Sequence, residues 1–158
     1  MEKFTHIDEK GHVRMVDVSE KNISSRQAIA KAKIQMNIST IKMIINNEFK
    51  KGNVLETSRI AGIMAAKKTS ELIPLCHPLN IEHIQIDFIT DLENSIIEIE
   101  SNVRISGKTG VEMEALTSAS IAALTIYDMC KSIDKKMTIK EIKLIKKTGG
   151  KSGTFLNY

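Results

Sequence analysis

From residue 28 to 36 the chain places Ala28, Ala30, Ala32, Ile34 and Met36 at every second position, with Ile29, Lys31, Lys33 and Gln35 between them. A period of two specifies a strand with one buried face. The same period returns at 82–90 around Ile84, Ile86 and Phe88. It returns again at 95–105 around Ile97, Ile99, Val103 and Ile105, where Glu98, Glu100 and Arg104 point outward. Asp91 to Asn94 forms the hairpin between those two strands. A sheet that is apolar on one side only needs a cover on that side, so the intervening segments must supply helices.

They carry the signals for it. Ser39 can cap a short helix through about Asn46, with Ile41, Ile44 and Ile45 inward. Lys50-Lys51-Gly52 reads as a turn, and Asn53 with Glu56 three residues later resembles a capping box that opens a second helix to about Lys68. Pro74 and Pro78 bracket a rigid loop, Leu75-Cys76-His77. A helix over roughly 112–133 and a strand at 137–147 follow, then a Gly-rich tail from Thr148 to Gly153. Strand, helices, strand, strand, helix, strand is the ferredoxin-like βαββαβ order. The expected fold is therefore α+β, an antiparallel four-stranded sheet with helices packed on one face. At 158 residues the chain reads as one domain, 1–158, with residues 1–20 an N-terminal arm that holds a short hairpin around Gly11.

Composition excludes several function classes. No apolar run approaches the ~20 residues of a membrane span, and Met1 to His6 lack the apolar core of a signal peptide, so the expected location is cytoplasmic. Cys76 and Cys130 stand far apart with no metal-ligand spacing, which argues against a disulfide or a zinc site. The net charge is +4, and residues 135–151 hold seven lysines against one acid, Glu141. That patch suits an anionic partner or is a solvated strand face. A nucleic-acid-binding ferredoxin-like module would use it, but aromatic residues are only 4% and the strands lack the stacking pairs such modules need.

Four groups of residues bear on chemistry. In Leu75-Cys76-His77-Pro78 the choice lies between substrate contact through His77 and the loop backbone, and a packed structural loop, which is the simpler account. Adjacent Cys and His seldom form a productive nucleophilic pair. Glu112 and Glu114 open the long helix, where acids complement the macrodipole; they point roughly 200° apart in a helix, and either could act as a base, hold a metal or read a guanine edge. Asp128 and Lys131, an i, i+3 pair, are either an exposed ion pair or a partly buried, tuned acid and base, as Tyr127, Met129 and Cys130 around them suggest. Lys51 and Lys108 each touch a glycine, and the 149–153 tail could cradle an anion. Gly107-Lys108-Thr109 is not a nucleotide-binding P-loop, for the upstream glycine is missing.

Helix length adds a constraint. Glu114 and Asp128 are fourteen residues apart, about 21 Å along one helix, too far for one compact site on one subunit. The small face Ala115, Ser118, Ala119, Ala122 and Ala123 would allow close contact between subunits, so an oligomer with interfacial sites is expected.

The blocks Ile73-Pro74-Leu75-Cys76-His77-Pro78-Leu79, Gly107-Lys108-Thr109-Gly110-Val111-Glu112-Met113-Glu114, Tyr127-Asp128-Met129-Cys130-Lys131 and Gly149-Gly150-Lys151-Ser152-Gly153 resemble the signature blocks of the cyclic pyranopterin monophosphate synthase family. Thr5-His6, Met15 to Ser19, Lys51-Gly52 and Ser58 to Gly62 match as well, so the resemblance spans nearly the whole chain. It implies a lyase of molybdenum cofactor (molybdopterin) biosynthesis. That enzyme rearranges a 3′,8-cyclic dihydro-GTP to the pterin, closes a cyclic phosphate and releases diphosphate. The assembly implied is a homohexamer, a trimer of dimers. By position Asp128, Lys131 and Lys51 match the catalytic residues, and Leu75, Cys76, His77, Met113 and Glu114 the substrate-binding segments. Glu112, Lys108 and Lys151 join the substrate set, the lysines against the triphosphate. No metal site and no redox cofactor are implied, since the reaction is redox-neutral; Mg²⁺ would come only with the triphosphate. Asn53 stands where many members have Asp, and Phe49-Lys50 where some have histidines.

Overall fold

The computed structural model describes Ile7 and residues 10–157. The Thr5-His6 match lies outside the described residues. The elements run β1 (Ser24–Gln35), α1 (Ile38–Ile45), α2 (Val54–Lys67), α3 (Thr69–Leu72), β2 (His83–Asp91), β3 (Ile96–Gly107), α4 (Glu112–Cys130), β4 (Thr138–Thr148) and β5 (Phe155–Leu156). The fold is α+β. Its sheet is antiparallel, in the order β2-β3-β1-β4-β5.

Five strands replace the expected four. The tail after Thr148 turns back on itself through Gly149, Gly150 and Gly153, all at positive φ, a region glycine enters at little cost. Phe155 and Leu156 then pair with Lys147 and Lys146. A two-residue strand leaves no periodicity to read. The first strand also starts four residues earlier than its hydrophobic alternation, because Ser24 to Gln27 are polar yet continue the ladder against Gly107 to Arg104.

Ala28, Ala30, Ala32, Ile34 and Met36 are all buried, as are Ile97, Ile99, Val103 and Ile105. This face lies under α4, which packs on β1, β3 and β4, while α2 covers β2. The opposite face of the two central strands is a set of ion pairs. Lys31 Nζ lies 2.5 Å from Glu98 and 3.4 Å from Glu100. Lys33 reaches Glu141 at 2.8 Å, across a register shift in the β1–β4 ladder where Glu141 takes φ of 49°.

Asn53 caps α2 as its sequence spacing suggests, accepting from the Glu56 N–H at 2.9 Å. The cap of α1 is Asn37 rather than Ser39, and its side chain makes no capping bond. The small residues of α4 have a different role from the one expected. Ala115, Ser118, Ala119, Ala122 and Ala123 are fully buried within one chain, so they seat α4 against the sheet and α2 rather than against another subunit. Gly62 marks the tightest point: a Cβ there would lie 2.5 Å from Ile86 Cδ1, 3.0 Å from the Ser118 carbonyl and 3.3 Å from Ala122 Cβ. Ile86 is itself buried, and the Ser118 carbonyl is backbone. Gly62→Ala is expected to destabilise by about 1–2 kcal/mol in denaturant unfolding, overpacking outweighing the gain in helix propensity.

Candidate active site

The functional candidates divide between the two ends of α4. At its N-terminus, a cleft of about 280 Å³ is bounded by Leu75, Cys76 and His77 on one side and by Glu112, Met113 and Glu114 on the other. The loop between Pro74 and Pro78 and the first helical turn are thus brought together, as their separate motifs suggested. Val16 and Val18 of the arm close the third side. The arm is tied down by two of the predicted site residues: His77 Nε2–H donates to the Val16 carbonyl at 2.8 Å, and Lys108 Nζ donates to the Ser19 carbonyl at 2.6 Å. Both side chains thus hold chain segments beside the cleft. Of the hairpin expected around Gly11, the described residues show one bridge, between Ile7 and Val13.

Glu112 and Glu114 diverge as a helix requires. Glu112 is half-buried and faces Lys147 at 3.6 Å, whereas Glu114 is only 3% exposed. Burial pushes the Glu114 carboxyl up to about 7, with Glu112 adding to the effect. Burial and the nearby Glu114 likewise raise the Cys76 thiol, so Cys76 is a poor nucleophile and serves as a wall of the cleft.

Beside this cleft, and sharing Lys21 with it, lies a recess of about 560 Å³ lined by Ser24, Arg26, Gly150, Lys151 and Ser152. Arg26 is anchored by Nε to the Gly107 carbonyl at 3.0 Å and by Nη2 to the Lys108 carbonyl at 3.2 Å. A Cβ at Gly150 would come within 2.4 Å of Arg26 Nη1, so glycine lets the tail lie against the guanidinium. Lys21 and Arg26 were not among the residues expected at a site. The available signal was parity: Arg26 stands two positions before Ala28, a charge at an inward position of an alternating strand.

At the other end of α4, Lys131 Nζ donates to Asp128 Oδ1 at 2.7 Å. Lys51, from the turn before α2, donates to the Asp128 carbonyl at 3.1 Å and lies 3.7 Å from Oδ2. Residues 51, 128 and 131 therefore form one cluster. The expected partial burial is absent within the single chain, where Asp128 is 59% and Lys131 53% exposed. Tyr127, Met129 and Cys130 turn inward, and the charged pair occupies the helix's outer flank. The Lys131 hydrogen bond and charge, aided by Lys51, hold the Asp128 carboxyl below its ordinary range, and Asp128 in turn raises the Lys131 ammonium. Lys131 is thus kept charged, which suits proton donation and phosphate neutralisation rather than action as a free base.

The sequence model of the MoaC family matches residues 15–150, most of the chain and both of these clusters. The chain belongs to the MoaC family. Among its relatives are proteins named cyclic pyranopterin monophosphate synthase from Desulfatibacillum aliphaticivorans, 60% identical over 99% of both chains, and from Desulforapulum autotrophicum, 58% identical over 99% of this chain and 96% of the relative. The protein of that name from Heliobacterium modesticaldum is 53% identical over 99% and 98%. Family membership does not support a nucleic-acid-binding module, nor does the sheet. The open face of β1 and β3 carries Lys–Glu pairs in place of stacking rings, and Phe88 lies under the Arg59 guanidinium at 5.2 Å. Among the described residues no three His, Cys, Asp or Glu side chains form a metal-holding group, and no helix is long and apolar enough to cross a membrane.

Proposed function

We propose that the chain converts (8S)-3′,8-cyclo-7,8-dihydroguanosine 5′-triphosphate to cyclic pyranopterin monophosphate and diphosphate, the phosphorus–oxygen lyase step of molybdenum cofactor biosynthesis. The observation that carries this reading is the meeting of Lys51, Asp128 and Lys131 in a chain that matches full-length relatives of that name. The cleft between the Leu75–His77 loop and Met113–Glu114 takes the base, with Glu114 accepting from the guanine-like edge. Lys108 and Lys151, together with Lys21 and Arg26, neutralise the triphosphate and stabilise the charge that develops as diphosphate leaves. Asp128 orients Lys131, and Lys131 and Lys51 move the protons of the rearrangement. The chemistry is redox-neutral and calls for no redox cofactor, so Mg²⁺ would enter only with the triphosphate.

The fold reads as ferredoxin-like through its first four strands, with β5 an addition at the β4 edge. A single buried core drawing on β1, α1, α2, β2, β3 and α4 supports one domain over the chain. Both ends of α4 serve one reaction when sites form between subunits, in a cytoplasmic homohexamer built as a trimer of dimers. The outward apolar residues Ile60 and Met64 of α2 and Leu124 of α4, each more than half exposed, support contact between copies.

Incubating the protein with the cyclic dihydro-GTP should release diphosphate and yield, after oxidation, a fluorescent pterin in equal amount. Release of neither would overturn the reading.

A further inference from the structure

We propose that Asp134 is a positioning residue for this reaction, fixing the segment that delivers Lys51 against the helix end that presents Asp128 and Lys131. The proposal rests on the reading of those three as the reacting groups. Asp134 is 3% exposed and sits three residues beyond Lys131. Its own N–H donates to the Cys130 carbonyl at 3.0 Å, so it closes the end of α4. Its carboxylate faces the other way. Oδ2 accepts from the Asn37 N–H at 2.8 Å and from the Thr40 hydroxyl at 3.2 Å, and Oδ1 accepts from the Lys136 N–H at 3.1 Å.

Asn37 and Thr40 begin α1, whose cap side chain makes no bond and whose first turn contains no acid. Asp134 therefore supplies across space the carboxylate that a capping box supplies within a helix. From α1 the chain reaches Lys51 in a few residues, through buried Phe49 and a turn in which the Gly52 N–H bonds the Phe49 carbonyl at 3.0 Å. Lys51 then contacts Asp128. The cluster is thus fastened twice, by an exposed ion pair at its surface and by a buried carboxylate beneath it. The exposed contact leaves long side chains mobile, so the buried one sets the frame.

Asp134→Asn places an amide N–H against donors that need an acceptor. It should lower kcat by about 10–100-fold, as loss of a group that orients a reacting residue does, with KM within about twofold because Asp134 is buried beneath the cluster and does not line the cleft. Thr40→Val, isosteric but without the hydroxyl, should lower kcat by a smaller factor, and Thr40→Ser should keep it. A purely packing role predicts the reverse order for the Thr40 variants. Unchanged kcat in Asp134→Asn, or KM rising in step with the loss, would overturn the proposal. Should Asp134→Asn not fold, undiminished kcat in Thr40→Val does so. Lys51→Ala is assayed alongside. If it turns over normally, the reading of the cluster fails and takes the proposal with it; if it is inactive while Asp134→Asn is not impaired, the proposal alone fails.

Discussion

Asp128→Asn is expected to lose about 10²–10⁴-fold in turnover, the range for removing a positioned acid–base group, while the protein stays folded. An amide cannot hold the Lys131 ammonium by charge, and it also loosens Lys51, whose Nζ lies 3.7 Å from the carboxylate and keeps only its bond to the Asp128 carbonyl. Lys131→Ala should fall as far, because it removes the ammonium itself. Both side chains are more than half exposed in the single chain, so the fold owes them little. Asp128 titrates below and Lys131 above the ordinary value. The pair therefore stays charged through the neutral range. It is lost only when pH falls through the depressed carboxyl or rises through the elevated ammonium. Diphosphate release, read beside thermal melting and sedimentation, checks the prediction; normal turnover in either variant contradicts it.

Glu114→Gln should separate stability from binding. The native carboxyl titrates at about 7 against an ordinary 4.5, so the folded state holds a proton that the unfolded chain has released. Stability is therefore full below 4.5 and falls as pH rises through about 7. Glutamine removes that loss. At about 1.4 kcal/mol per pH unit across this window, the variant should be more stable than the parent by up to about 3 kcal/mol at pH 8, and equal to it at pH 4. KM should rise all the same, by about 10–100-fold, because the amide offers a donor where the substrate edge presents donors. Denaturant unfolding at the two pH values, run with steady-state kinetics, tests both halves. A variant less stable than its parent at pH 8 would contradict the first.

Much of this was legible from the residues. Alternation located the core of β1, β2 and β3 because each strand buries one face only, and the Asn53/Glu56 spacing placed a cap that the structure contains. The site motifs were visible as charges that packing does not require. Other features were not. Phe155 and Leu156 gave no period, and the glycines before them read as a loop because their turn depends on positive φ rather than on side chains. The small face of α4 pointed to a subunit contact, since composition cannot tell a seam within a chain from one between chains. Asn37 took the cap in place of Ser39 because its N–H bonds Asp134, nearly a hundred positions away, which no local pattern encodes. The Val16 and Ser19 carbonyls at His77 and Lys108 were equally invisible, being backbone groups.

The nineteen residues of α4 also act as a ruler. One inserted residue would turn Asp128 by about 100° about the axis relative to Glu114 and push it about 1.5 Å further along, taking the ion pair out of phase with Lys51. The constraint falls on the number of residues between the two ends, whatever faces outward there. Along this helix, length is held as tightly as the small residues of its buried face.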